Sequence, residues 1–276
     1  MKIKAICSDI DGTLLDSRRE LSPRTIAAFR SLGKHIPVIL ASSRMPAAMR
    51  HLQEELGILH HPMICFNGGY VLLYSEGADI PAVIDSVQIP VAVCAAIVGM
   101  AHGTDIHISL YTGDSWYAPQ FDKWAEKEAR VTKVSPRVGA LNAVLDEWHT
   151  ADTGAHKVMC MGPAEEIAEM AAELTDRFGD ELYIYRSKTT YLELAQRTIS
   201  KATALELILQ NNYGIPMDEV MAFGDNYNDV ELLQAVGLGI AVGNAREEVK
   251  AVANEITLNS TDDGVAIAIE KHLLQQ

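Results

Sequence analysis

Two aspartates one residue apart, Asp9 and Asp11 in the run Asp9-Ile10-Asp11-Gly12-Thr13, stand directly behind an apolar stretch. Two carboxylates this close are costly to hold together unless a cation or a proton joins them. Far downstream, Asp225 and Asp229 lie in Gly224-Asp225-Asn226-Tyr227-Asn228-Asp229, a second polar run that also follows an apolar stretch. If both runs leave adjacent strands, the carboxylates converge on one small volume and call for a hard, oxygen-liganded cation. Mg²⁺ is the natural candidate, because it takes carboxylate and phosphate oxygens and keeps some of its water. Alone, an Asp-x-Asp-Gly loop reads equally as a turn or a Ca²⁺-type site.

The elements needed to position these residues can be read from the pattern. Apolar runs over Ile3 to Cys7, Val38 to Ala41 and Met63 to Phe66 alternate with helical patterns over Arg24 to Leu32 and Ala47 to Leu56. Alternation of this kind is the mark of a parallel α/β sheet. Ser22-Pro23 supplies a cap and first residue for the earlier helix, and Gly33 and Gly57 close the two. The rhythm resumes with a helix over Lys201 to Tyr213, strands over Val220 to Phe223, Gly239 to Val242 and Glu255 to Leu258, and helices over Val230 to Ala235, Glu247 to Ala253 and Val265 to Leu274. Each polar cluster follows a strand, at the edge where open α/β sheets bind ligands. Between about Ile84 and Tyr191 the texture changes. Strands are expected over His107 to Tyr111, Lys157 to Met161 and Leu182 to Tyr185, and helices over Val91 to Ala101, Phe121 to Ala129 and Ala164 to Phe178. The expected division is a core over 1–83 and 192–276 with a second domain inserted at 84–191.

The bulk properties narrow the function. A formal net charge of -14 argues against a broad nucleic-acid or anionic-lipid surface. No stretch approaches the roughly 20 apolar residues that span a bilayer, and the N-terminal run is too short for a signal peptide. Cys7, Cys65, Cys94 and Cys160 sit singly among apolar residues and read as buried thiols, so a cytoplasmic location is expected. The nine histidines are scattered and read as surface or capping residues. Trp116, Tyr117 and Trp124 in the insert read as core.

Taken in order, Asp9-Ile10-Asp11-Gly12-Thr13, Ala41-Ser42-Ser43-Arg44, Ser200-Lys201-Ala202 and Gly224-Asp225-Asn226-Tyr227-Asn228-Asp229 resemble the four motifs of the haloacid dehalogenase superfamily. The chain looks most like its Cof-type phosphatases. Asn67-Gly68-Gly69, Tyr191-Leu192-Glu193-Leu194, Val242-Gly243-Asn244-Ala245 and Asp263-Gly264-Val265-Ala266 extend the resemblance over essentially the whole chain. It implies a Rossmann-like, doubly wound α/β core with a mainly parallel sheet and an inserted α/β cap. It also implies Mg²⁺-dependent hydrolysis of a small phosphorylated metabolite, with Asp9 as nucleophile and Asp11 as general acid and base. By the same resemblance Ser42 and Lys201 contact the transferring group, and Asp9, the Asp11 carbonyl, Asp225 and Asp229 serve the metal. Asn228 would meet phosphate or Lys201. Ser43, Arg44, Asn67, Arg186 and Ser187 are candidates for the substrate, although Arg44 could simply form an ion pair and Asn67 could simply occupy a left-handed turn. Ser43 and Ala202 stand where the family usually has glycine. A mutase of the same superfamily and a catalytically retired binding protein are the competing readings.

Overall fold

Four buried residues, Ala5–Ser8, form the first strand, β1, and a run without a polar face suits a strand covered on both sides. The computed structural model describes residues 2–274 except 34 and 79. Its residues fall into two compact units, one of 2–44, 49–85 and 200–274, the other of 45–48 and 86–199. In the first, β2 (Val38–Ala41), β3 (Met63–Cys65), β4 (Tyr70–Leu73) and β5 (Ala82–Ser86) follow β1, with helices α1 (Pro23–Arg30) and α2 (Ala47–Leu56) between them. Ser22 caps α1 by accepting the Thr25 N–H, and Pro23 takes the first turn, where its missing N–H costs nothing.

The second unit adds β6 (Ile89–Pro90), α3 (Val91–Met100), β7 (His107–Thr112), β8 (Ser115–Ala118), α4 (Lys123–Thr132), β9 (Arg137–Val138), α5 (Leu141–Ala151), β10 (Gly154–Ala155), β11 (Lys157–Met161), α6 (Ala164–Phe178), β12 (Leu182–Lys188) and β13 (Tyr191–Gln196). The chain then returns to the first unit with α7 (Lys201–Asn212), β14 (Val220–Gly224), α8 (Val230–Ala235), β15 (Leu238–Ala241), α9 (Glu247–Lys250), β16 (Glu255–Ile256) and α10 (Gly264–Ile269).

The first unit's sheet runs β16-β15-β14-β1-β2-β3-β4-β5. Pairing is parallel from β16 through β3 and turns antiparallel at β3 and β4. Ser8 is in register with Phe223 on one side and Leu40 on the other, so the loops after β1, β14 and β2 leave the sheet side by side. The order reverses about β1, which is where an open α/β sheet leaves a crevice at its carboxyl edge.

The other unit is a six-stranded sheet, β12-β13-β11-β7-β8-β9. Val158, Cys160, Leu192, Leu194, Ile108 and Leu110 on one face join Val93 and Ile97 of α3, Trp148 of α5 and Ile167 of α6 in a single apolar core. The expected break at 191/192 falls too early, because β13 pairs with both β11 and β12. The expected helix over Phe121 to Ala129 begins instead at Lys123, after Asp122 accepts the Trp124 and Ala125 N–H groups, and reaches Thr132. Helix α9 and strand β16 are each shorter than the pattern implied. The described helices include none long and apolar enough to cross a membrane.

All four cysteines are buried, as expected, and are thiols rather than disulfides. Two histidines correct the surface reading. His107 and His156 are only 3% and 2% exposed, and each is held by polar partners. His107 Nδ1 meets Asp122 and its Nε2 meets Ser109, while the Gly113 N–H donates to His156 Nδ1 and Ser86 Oγ lies 3.0 Å from Nε2.

Candidate active site

Asp9 is the first residue past β1, and its N–H donates to Phe223 O of β14 at 3.1 Å, which seats the loop between two strands. Lys201 is the first residue of α7, whose start is fixed by a reciprocal capping box between Ser200 and Thr203. That start delivers a wholly buried ammonium to 2.5 Å from Asp9 Oδ1 and 2.7 Å from Asp229 Oδ1. Asp9, Asp225 and Asp229 each offer a carboxylate oxygen, all within 4.8 Å of one another.

The electrostatics follow from this crowding. Burial pushes the Asp9 carboxyl well above the usual carboxylate range; Lys201 pulls it back while Asp229 and Asp225 push it further up. Burial and then Asp229 push Asp225 up to about 6. Lys201 is raised above the usual lysine range, since Asp229 and Asp9 together outweigh the burial that opposes its charge. One ammonium therefore faces three carboxylates, and Asp9 Oδ2 is buried with no hydrogen-bond partner among the described residues. An orphaned carboxylate oxygen in an all-oxygen cluster with excess negative charge fits a divalent, hard cation. Asp9 and Asp225 are the residues with oxygen left to hold it. Asp229 is already committed, since Oδ1 accepts from Lys201 and Oδ2 accepts the Asp225 and Asn226 N–H groups.

Asp11 points elsewhere. Arg44 grips it from two nitrogens, Nε to Oδ2 and Nη2 to Oδ1, both at 2.7 Å, and Arg19 adds a third bond at 3.0 Å. Burial pushes the Asp11 carboxyl up, yet Arg44 and then Arg19 outweigh it and hold it below the usual range. Ser42 is buried, and its Oγ accepts the Arg44 N–H at 3.2 Å. Asn67 has the left-handed conformation, φ 59°, and its Oδ1 accepts from Asn228 at 3.0 Å. Ser43 lies half-buried between Ser42 and Arg44. Asp9, Asp11, Ser42, Ser43, Arg44, Asn67, Lys201, Asn228, Asp225 and Asp229 thus all belong to the first unit. Arg186 and Ser187 belong to the second, at the end of β12, where Arg186 donates to Thr189 O.

The profile of a family described as haloacid dehalogenase-like hydrolase matches residues 6–269. The chain belongs to that family. A Haemophilus influenzae protein carrying a provisional phosphatase name is 33% identical over 274 residues, 98% of each chain. Pyridoxal phosphate phosphatase YbhA of Escherichia coli is 28% identical over 288 residues, covering 99% of this chain and 100% of that one. A solved haloacid dehalogenase-like hydrolase from Bacteroides thetaiotaomicron is 30% identical with a TM-score of 0.87, over 98% of this chain and 99% of that one. The protein is accordingly a haloacid dehalogenase-like hydrolase of the Cof-type phosphatase group.

Three contacts of this hydrolase's site escape the sequence reading. Thr13 Oγ1 donates to Asp225 Oδ1 at 3.1 Å, and Asn244 donates to Gly12 O at 2.7 Å, tying the Asp225 loop and the loop after β15 to the turn after Asp11. Both residues lie inside runs that carry the family resemblance, so that signal was present. Arg19 had none. Its aim depends on a tight turn in which Asp16 Oδ1 accepts the Arg18 and Glu20 N–H groups and Arg19 itself takes φ 63°.

Proposed function

We propose that the protein is a Mg²⁺-dependent phosphatase that hydrolyses small phosphate monoesters through an aspartyl-phosphate on Asp9. The observation that carries this reading is the Asp9 carboxylate, buried beside a buried ammonium, with one oxygen orphaned. In the first half-reaction an Asp9 oxygen attacks phosphorus, the bond to the leaving oxygen breaks, and Asp11 gives that oxygen a proton. In the second, Asp11 takes a proton from water, the new oxygen bonds to phosphorus, and Asp9 departs as carboxylate with release of inorganic phosphate. Lys201 offsets charge on Asp9 and the phosphoryl oxygens, while the Ser42 hydroxyl and the Asn228 amide donate to the same oxygens. A bound Mg²⁺, held by Asp9, the Asp11 carbonyl and Asp225, with Asp229 acting through its neighbours, would supply further charge neutralisation of the phosphoryl group. Asp11 rests as a carboxylate in the grip of Arg44, the form that suits water activation; proton donation requires that pair to loosen.

The leaving group is a small metabolite, with phosphorylated cofactors of the kind named for the Escherichia coli relative among the first to try. Ser43, Arg44, Arg186 and Ser187 are the proposed contacts to substrate. Buried cysteines held as thiols suit the reducing cytoplasm. A phosphate-release screen over sugar, polyol and cofactor phosphates with and without Mg²⁺ tests the reading. Turnover should vanish with EDTA and fall by about 10³ or more in Asp9→Asn, whose fold should stay intact. Near-normal turnover by Asp9→Asn would remove Asp9 as nucleophile.

A further inference from the structure

Where β3 ends, the chain reverses into β4 instead of entering a helix, and the reversal is made by Phe66, Asn67 and Gly68 at φ 52°, 59° and 114°. Three consecutive residues in the left-handed half of backbone space are held there only if their surroundings over-determine them. Between them the three meet three parts of the site. The Phe66 N–H donates to Arg44 O at 3.1 Å and the Asn67 N–H donates to Ser42 O at 2.9 Å, which fastens the loop carrying Ser42. Gly68 lies so close to the cap of α7 that an added Cβ would sit 2.6 Å from Ser200 O, next to Lys201. The Asn67 side chain accepts from Asn228 Nδ2 at 3.0 Å, across the sheet edge from the loop of Asp225 and Asp229.

We propose that this turn is the spacer between three phosphate-facing loops and that Asn67 is a positioning residue whose carbonyl oxygen orients the Asn228 amide. The inference rests on the phosphatase reading for its kinetic consequence. Asn228 carries its donor and acceptor on one planar group, and free rotation would present either to the phosphoryl oxygens. By accepting one N–H, Asn67 Oδ1 fixes the NH₂ end, so that the second N–H faces the site as a donor. A contact whose value lies in orientation is worth most where geometry is most demanding, in the transition state.

The decisive variant is Asn67→Gly, which keeps the backbone free to hold positive φ and removes only the amide. Asn67→Gly and Asn228→Ala should each lower kcat about tenfold with KM within about twofold, and the double variant should be no slower than either alone. Inhibition by orthovanadate, a mimic of the pentacoordinate phosphoryl group, should weaken about tenfold in Asn67→Gly while inhibition by inorganic phosphate changes little. Losses that multiply to about a hundredfold in the double variant would mean that Asn67 meets substrate independently, and wild-type kinetics in Asn67→Gly would mean that its amide does nothing; either overturns the proposal. If the wild type released no phosphate from any ester, the phosphatase reading would fall instead. The orientation claim is then decided by side-chain amide NMR, in which the Asn228 NH₂ pair should shift and broaden in Asn67→Gly. An unchanged pair sinks the claim.

Discussion

Lys201→Met isolates the charge balance of the site. In the wild type the ammonium lies 2.5 Å from Asp9 Oδ1 and 2.7 Å from Asp229 Oδ1, with no exposed side-chain surface. Methionine refills most of the stem volume, so the loss is chiefly electrostatic. Removing one partner of a buried ion pair costs about 3–5 kcal/mol, because the charges left behind have neither water nor counter-ion. Near pH 8 in EDTA we expect a deficit of about 4 kcal/mol by urea denaturation. The deficit should depend on pH with a definite sign. Burial already holds Asp9 above the usual range, and Lys201 is the group that lowers it, so removing the lysine drives it higher. A carboxyl raised in the folded state contributes stability that is complete below its unfolded value near 4 and fades as pH rises through its folded value. The deficit should therefore shrink by about half on going from pH 8 to pH 5. Mg²⁺ at about 100 times its Kd should restore about 2.7 kcal/mol by linkage. A deficit under about 1 kcal/mol at pH 8, or one that does not change with pH, would refute the picture of one ammonium balancing buried carboxylates.

Three further outcomes follow from single contacts. Gly12→Ala should lose at least about a hundredfold in activity and about 2–4 kcal/mol in stability, because Gly12 sits at φ 86° and its new Cβ would lie 2.4 Å from Asp225 Oδ2; an active, stable variant would show that this loop has room to shift. Arg44→Lys keeps the charge and loses the fork on Asp11, so kcat/KM should drop about 10–100-fold with stability changed by less than about 1 kcal/mol, and wild-type kinetics would discount the fork. Burial depresses His156 to about 4, so its neutral form contributes up to about 3 kcal/mol that is complete above its ordinary value of 6.5 and lost as pH falls toward 4. His156→Gln should flatten that part of the stability-against-pH curve; superimposable curves would assign the acid sensitivity elsewhere.

Asp9 and Asp225 were placed correctly relative to the sheet because β1 and β14 are buried along their whole length, and a loop that begins with aspartate can only start where such a run ends. The apolar positions of α5, Leu141, Val144, Leu145 and Trp148, keep a helical spacing and were open to the same reasoning. Strand β13 was split by the expected domain boundary because its faces differ. Leu192 and Leu194 enter the core, while Tyr191 and Glu193 share the other face with Met161 and Met159 of β11, so the strand reads as a motif before it reads as sheet. His107 and His156 defeated a reading by residue type because imidazole can be buried once polar partners are supplied, Ser109 from the same strand as His107 and Asp122 and the Gly113 N–H from other parts of the chain. Arg19 and Asn67 mark the deeper limit. Left-handed backbone is suggested by an asparagine next to glycine, yet what such a residue then touches depends on where other loops end. Arg19 reaches Asp11 only because Asp16 folds the intervening turn, and Asn67 reaches Asn228 only because β3 and β14 finish on the same edge of one sheet. Residue types pointed to the chemistry proposed at Asp9; the groups that aim it are set by turns whose partners lie as far as 232 positions away.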